Sequence, residues 1–149
     1  MGPTFKLADD TDLDMLLDFV REYYEFDGHP YDRELVREAL GGLMRKPAYG
    51  RAWLICEGTA PVGYVVLTIG YSIEYHGHDA FVDELYLRES HRGRGWGRRA
   101  LAFVEQVCRE LGVHALHLEV ERENTAAYAV YRKFGFEEHD RRLMTRWLG

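Results

Sequence analysis

No run in these 149 residues approaches the eighteen consecutive apolar residues of a membrane helix, and the N-terminal stretch lacks the charged-then-apolar profile of a secretory signal. A cytoplasmic location is the expectation. Met1-Gly2 opens like a myristoylation signal, but Lys6 stands where Ser or Thr is wanted. Cysteine is scarce: Cys56 and Cys108 each fall in an apolar run, which reads as buried free thiols in a reducing compartment rather than a disulfide or a nucleophile. With 4 prolines, no low-complexity tract and no internal repeat, nothing marks a linker, and one domain over residues 1–149 is expected. Positive charge is in deficit, 19 Lys and Arg against 25 Asp and Glu for a net charge of -6, which argues against a general nucleic-acid binder. No Ser/His/Asp or Cys/His triad is evident. The run Glu74-x-His76-x-His78-Asp79 gathers ligand types, but with glycine between its histidines it reads as a loop between strands, and no metal is expected.

What is present suits a small enzyme. At 46% hydrophobic with 10 Tyr, 7 Phe and 3 Trp, the chain can bury one proper core. The pattern predicts a strand at 4–8 and a helix after Asp10 or Thr11 with Leu13, Leu16, Leu17, Val20 and Tyr24 at helical spacing. A second helix is expected at about 32–45, weakened by Gly41-Gly42. Strands 51–57 and 62–71 flank a hairpin loop at 58–61. Strand 80–87, helix 95–111, strand 114–121 and helix 124–134 follow, and two closing strands are expected at 136–139 and 142–148. This mixed order predicts an α+β (or α/β) domain with a central, mostly antiparallel sheet flanked by about four helices.

The most informative segment is Glu84 to Leu101, where an apolar strand runs into a turn crowded with arginine and glycine and out into an amphipathic helix. Glycines 93, 95 and 97 let the backbone approach a ligand, and free amides at a helix start favour an anion. Arg92, Arg94, Arg98 and Arg99 add countercharge. The segment has no Walker lysine, and the dinucleotide pattern Gly-x-Gly-x-x-Gly is met at neither 93 nor 95. A compact phosphorylated ligand fits better.

Arg92-x-x-Gly95-x-Gly97 closely resembles the pyrophosphate loop of the Gcn5-related N-acetyltransferases (the GNAT family). About thirty residues on, Asn124-x-x-Ala127-x-x-x-Tyr131-x-x-x-Gly135-Phe136 resembles the same family's second motif. Asn124 and Gly135 also read as the N-cap and C-cap of a helix. The resemblance spans residues 3–148 in element order, with specific motifs at 83–98 and 124–136. It implies a mixed sheet splayed in a V between its fourth and fifth strands, with acetyl-CoA as acetyl donor lying in the V. It further implies that Leu85, Tyr86 and Leu87 hold the pantetheine arm with their main chains. Arg92, Gly93, Arg94, Gly95, Trp96, Gly97 and Arg98 would hold the pyrophosphate, and Asn124 and Ala127 would line the pantetheine side. Trp96 departs from the family's smaller residue, and its ring points either into the sheet or over the adenine side. The family often forms homodimers, though no residue pattern here establishes one.

The chemistry sets its own demand. A primary amine has a pKa near 10.4, so presenting it neutral at pH 7 costs roughly 4 to 5 kcal/mol unless a base intervenes. Asp83 and Glu84 end an otherwise apolar strand, and alternation lets only one of them face a given cleft. Glu84 is the first candidate base and Asp83 the second; one could instead be solvated and the other paired with an arginine. Tyr131 matches the family's general-acid tyrosine, with Tyr128 its nearest rival and a core tyrosine the competing reading. In the family the connection of the first two helices borders the acceptor, which makes Tyr24, Phe26, Asp27 and Tyr31 candidate substrate contacts, or simply a stapled loop. With Glu74, Asp83 and Glu84, Asp27 would ring the pocket with negative charge. Direct acetyl transfer to a small cationic amine is therefore expected, and diamine acetyltransferases carry a comparable acidic pair. Protein or peptide amino groups, amino acids and aminoglycosides stay open as acceptors, as does a non-catalytic acyl-CoA-binding module.

Overall fold

A computed structural model describes residues 1–149. They divide into two compact units, 1–119 and 120–149. In the first, β1 (Thr4–Leu7) leads through a turn at Asp10–Asp12 to α1 (Leu13–Asp27) and α2 (Arg33–Arg45). Then come β2 (Gly50–Glu57), β3 (Ala60–Ser72), β4 (Gly77–Leu87), α3 (Trp96–Glu110) and β5 (Ala115–Leu118). Local chemistry sets the helix ends. Asp9 caps the turn into α1 by accepting from the Thr11 amide, while Gly28, at φ 72°, closes α1 in the left-handed region that glycine reaches most easily. Asp32 caps α2, and that helix runs through Gly41-Gly42 to Arg45.

The five strands lie in the order β1-β2-β3-β4-β5. The first three pairings are antiparallel, and β4–β5 is parallel, joined by the α3 crossover. Alternation sorts the core to two faces. Ala52, Leu54, Tyr64, Val66 and Tyr86 pack with Leu16, Leu17, Phe19, Val20 and Leu40 of the first two helices. On the opposite face Trp53 meets Phe103 of α3 edge-on at 5.3 Å, and Phe5 stacks on the same ring at 4.4 Å. Ala100, Leu101, Val104 and Cys108 complete the buried side of α3.

One irregularity positions everything that follows. Val66 of β3 lies opposite Glu84, but Leu67 lies opposite Val82, so Asp83 is an extra residue in β4. Such a bulge bends its strand and raises the local twist. β5 pairs with β4 only over residues 79–82. From Asp83 to Leu87 the far edge of β4 is unpaired, and this is the V between the fourth and fifth strands.

The second unit consists of α4 (Thr125–Phe134) and irregular chain. Asn124 caps α4 by accepting from the Ala127 amide at 3.1 Å, and Gly135 closes it at φ 119°. The strands expected at 136–139 and 142–148 do not form. A stretch of apolar residues makes a strand only where a neighbour supplies hydrogen bonds, and here Leu143, Met144, Trp147 and Leu148 are exposed. β5 likewise ends at Leu118, short of the expected 121.

Gly63 of β3 tests the close pairing beside the open edge. A Cβ there would stand 2.1 Å from the Tyr86 carbonyl oxygen and 3.1 Å from the Leu87 Cα. Gly63→Ala should cost about 3 kcal/mol or more by forcing backbone apart, read as a lower urea midpoint. An unchanged midpoint would mean that the pairing yields freely.

Candidate active site

The open edge of β4 follows from its register. The Arg88 amide donates to Val62 O at 2.9 Å, so Arg88, Tyr86 and Glu84 turn their main chains toward β3. Leu85 and Leu87 therefore turn theirs outward. Of the three residues expected to hold a pantetheine arm, Tyr86 is corrected: its main chain serves β3, and its hydroxyl donates to Glu22 at 3.1 Å. Leu87 is corrected in part, because its carbonyl already accepts Arg92 Nε at 2.7 Å. The Leu85 amide and carbonyl and the Leu87 amide remain for a ligand.

Beyond the edge the chain builds an anion cradle. Gly93 and Gly95 adopt φ 74° and 79°, where a side chain would be strained, and Gly95 precedes α3 without any side-chain cap. The first helical bond returns from Arg99 to Gly95 O, so the Trp96, Gly97 and Arg98 amides have no partner within the helix. A Cβ built on Gly93, Gly95 or Gly97 meets no atom within 4 Å. Open space, free amides and a positive helix end fit a pyrophosphate. Arg98 is exposed beside them, and Arg94 is exposed with Glu57 3.7 Å away. The Trp96 ring is buried at 4% exposure against His91, so this residue offers a ligand only its amide.

On the α1 face of the same strand sits Glu84. The Tyr24 hydroxyl donates to Oε2 at 2.5 Å and the Tyr64 hydroxyl to Oε1 at 2.7 Å. Burial pushes the Glu84 carboxyl above its ordinary value and the Asp83 charge adds to this, while the two phenols and His29 pull the other way. Burial beside the carboxylate also raises both phenols, which stay protonated donors. Asp83 is exposed at the bulge, yet desolvation by the surrounding chain alone raises its carboxyl. The bulge interrupts the strict alternation of the strand at Asp83, and both carboxylates act on the Tyr24 hydroxyl.

Sequence reasoning missed the residues that frame this carboxylate. Tyr64 reads as core in an apolar strand, and only its pairing with Tyr86 places it diagonally across from Glu84. Glu22 and Arg88 were also missed. Arg88 donates to both Glu22 oxygens, at 3.2 and 3.0 Å, and its guanidinium covers the Phe19 ring at 4.6 Å. The Glu22 carboxyl is lowered, first by Arg88, so this tie holds above the ordinary carboxylate range and weakens as acid protonates Glu22.

The other expected contacts divide. Tyr24 reaches the site, and Asp27 lies near its end of α1 with His29 3.8 Å away. Tyr31 donates to Leu17 O at 3.0 Å and meets Tyr24 edge-on, which makes it a staple. Phe26 is 61% exposed, under the Arg92 guanidinium. Glu74 is a correction: it sits in the turn between β3 and β4, roughly 20 Å along the strand from Glu84, and does not join the acids there. In that turn region His78 bonds the Gly70 carbonyl and Asp79 bonds His117. Tyr131, Asn124 and Ala127 belong to the second unit. They share one side of α4 there, and the Tyr131 ring meets Phe136 edge-on at 6.1 Å. Tyr128, the rival, donates its hydroxyl to Glu138 at 3.0 Å.

A strand edge with unpaired amides, an uncapped helix start beyond it and a half-buried carboxylate beside it make the layout of an acyl-CoA-dependent transferase. The family model described as Acetyltransferase (GNAT) family matches residues 13–136, and the chain belongs to that family. The family uses acetyl-CoA, and two of the relatives that the chain matches are named N-acetyltransferases. The uncharacterized N-acetyltransferase YycN of Bacillus subtilis is 36% identical over 67 residues, covering 45% of this chain and 43% of that protein. Against YycN and two further relatives the chain spans 20% to 61% of their lengths. The thialysine N-epsilon-acetyltransferase of Bos taurus is 25% identical over 142 residues, 88% of this chain and 82% of that one. Among solved structures, the integron cassette protein HFX_CASS3, from the mobile metagenome of Cole Harbour Salt Marsh, superposes with a TM-score of 0.86. It is 39% identical, with 97% of this chain and 90% of that one covered. No helix is long and apolar enough to cross a membrane.

The two phenols favour the ionised form of Glu84, so removing either donor should raise its titration further. Tyr64→Phe and Tyr24→Phe should each move the Glu84 carboxyl, followed by carbon-detected NMR, to higher pH. A titration that stays in place in both variants would show that these hydroxyls do not hold the charge.

Proposed function

We propose that the protein is a single-domain N-acetyltransferase that moves the acetyl group of acetyl-CoA directly to a small cationic amine. The observation that carries this reading is the position of Glu84, clamped by two tyrosines at the place where β4 loses its partner strand and offers a free edge. The Leu85 and Leu87 main chains would hold the donor's amide-bearing arm there, and the amides of residues 96–98 its pyrophosphate. Acetyl-CoA supplies an activated thioester carbonyl, and everything else falls to the chain.

Glu84 takes a proton from the acceptor, directly or through a water: from an ammonium before its nitrogen attacks, or from the neutral amine as the C–N bond forms. Each of its oxygens keeps a lone pair beyond the tyrosine bond, and a carboxyl raised by burial is a stronger base than an ordinary one. Asp83, open at the bulge, draws and orients a second positive charge on the acceptor. Tyr131 is assigned the proton for the departing thiolate as the C–S bond breaks, on the strength of the family motif. Support for the acceptor class comes from the acidic pair and from the thialysine acetyltransferase likeness, since thialysine is itself a small amine.

Free-thiol release across diamines, polyamines, amino acids, peptides and aminoglycosides tests the reading. Di- and polyamines should turn over best, and 0.5 M salt should raise their KM by screening; a preference for acidic acceptors would sink the acceptor class. Glu84→Gln should lower kcat/KM most at low and neutral pH and recover in part as pH nears the amine's own pKa. The wild-type acid limb should lie above the ordinary carboxylate range, because the raised Glu84 must be ionised to act. Tyr131→Phe should lower kcat by roughly 10- to 1,000-fold without rescue at high pH. Acetyl-CoA should raise Tm, and Gly95→Asp, which sets a negative charge in the cradle, should abolish that rise. Binding without thiol release from any amine would leave a non-catalytic acyl-CoA module.

A further inference from the structure

We propose that Arg92 is a positioning residue that transmits donor occupancy to the end of α1, where the acceptor is to be met. The proposal rests on the acetyl-CoA reading above. Two arginines leave the end of β4, and both lay a guanidinium over an aromatic ring of α1. Arg88 covers Phe19 at 4.6 Å, and Arg92 covers Phe26 at 4.6 Å and Tyr86 at 5.4 Å. Phe19 and Phe26 are seven residues apart, two turns along one helix face. The two clamps differ in one respect. Arg88 is closed by Glu22, which takes two of its in-plane donors. Arg92 has no carboxylate partner, and its single side-chain bond runs from Nε to the Leu87 carbonyl.

A guanidinium is planar, with faces that stack on rings and five N–H donors around its edge. Phe26 and Tyr86 lie against the Arg92 guanidinium, and the Leu87 carbonyl takes one of its donors. Four donors remain on a residue that stands four positions before Trp96, where the free amides of α3 begin. An anion bound at those amides completes for Arg92 what Glu22 completes for Arg88. One rigid group then touches both the donor and α1. Phe26 lies two residues beyond Tyr24, whose hydroxyl holds Glu84, and next to Asp27. Pinning Phe26 thus steadies the last turn of α1, and by linkage a steadied α1 strengthens donor binding. The pairing also gives the 61% exposed Phe26 ring a use that its exposure alone leaves unexplained.

Hydrogen exchange with and without coenzyme A reads this without an acceptor. In the wild type, coenzyme A should slow exchange several-fold in peptides covering residues 19–31 as well as at 93–98. Arg92→Gln, at coenzyme A concentrations shown by thermal shift to saturate it, should keep the protection at 93–98 and lose that at 19–31. Arg92→Lys, which keeps the charge without the planar fork, should behave like Arg92→Gln, and Phe26→Leu should uncouple the same segment with Arg92 intact. Exchange in the unliganded variants reports on folding separately. Equal protection of 19–31 in Arg92→Gln and the wild type overturns the proposal, as does a wild type that binds coenzyme A with no change at 19–31. A wild type that gives no thermal shift with coenzyme A overturns the donor reading itself.

Discussion

The extra residue at Asp83 is the constraint on which the site depends. By setting Val66 against Glu84 and Leu67 against Val82, it bends β4 away from the course that β5 follows, and the parallel pairing stops at Val82. The consequences are coupled. Glu84 comes to the α1 face, where Tyr24 and Tyr64 reach it. The Leu85 and Leu87 main chains lose a strand partner, and unpaired amides are tolerable only where water or a ligand can satisfy them. A single backbone irregularity thus creates both the tyrosine-clamped position of Glu84 and the edge beside it.

α1 supplies the opposite wall, and its attachment is electrostatic as well as apolar. Leu16, Leu17, Phe19 and Val20 seat it on the sheet. Toward its C-terminal end the contacts change character: Glu22 to Arg88 and Tyr86, Tyr24 to Glu84, and Phe26 under Arg92. Placing a carboxylate in this half-buried setting is costly, and the cost appears as the raised Glu84 titration that burial causes and two phenols only partly offset. That unfavourable placement is also what makes the group a better proton acceptor. Stability and chemistry pull against each other at Glu84 and together at the Glu22–Arg88 tie.

Membership of the family, the strand–loop–helix order around residues 84–101 and the caps at Asn124 and Gly135 were legible because they depend on short-range chemistry. Glycine at positive φ, Asn at an N-cap and apolar residues at helical spacing announce themselves within a few residues of chain. The closing strands were misread for the converse reason. Arg142–Leu148 is rich in apolar residues, but a strand exists only through its neighbour.

Taken alone, then, the amino-acid order determined the family of the protein, the glycine- and arginine-rich loop before α3 and the presence of an acidic pair on the fourth strand. Tertiary structure decided what those residues face. It turned Tyr86 inward to β3, buried the Trp96 ring, carried Glu74 to a distant turn and laid Arg92 over Phe26. It also brought in Tyr64, which nothing nearby in the sequence marks as polar machinery. The reason is physical: side-chain direction in a sheet is set by register, and one bulged residue shifts the register of everything beyond it. Which residues meet across the strands is a property of pairings formed between distant parts of the chain.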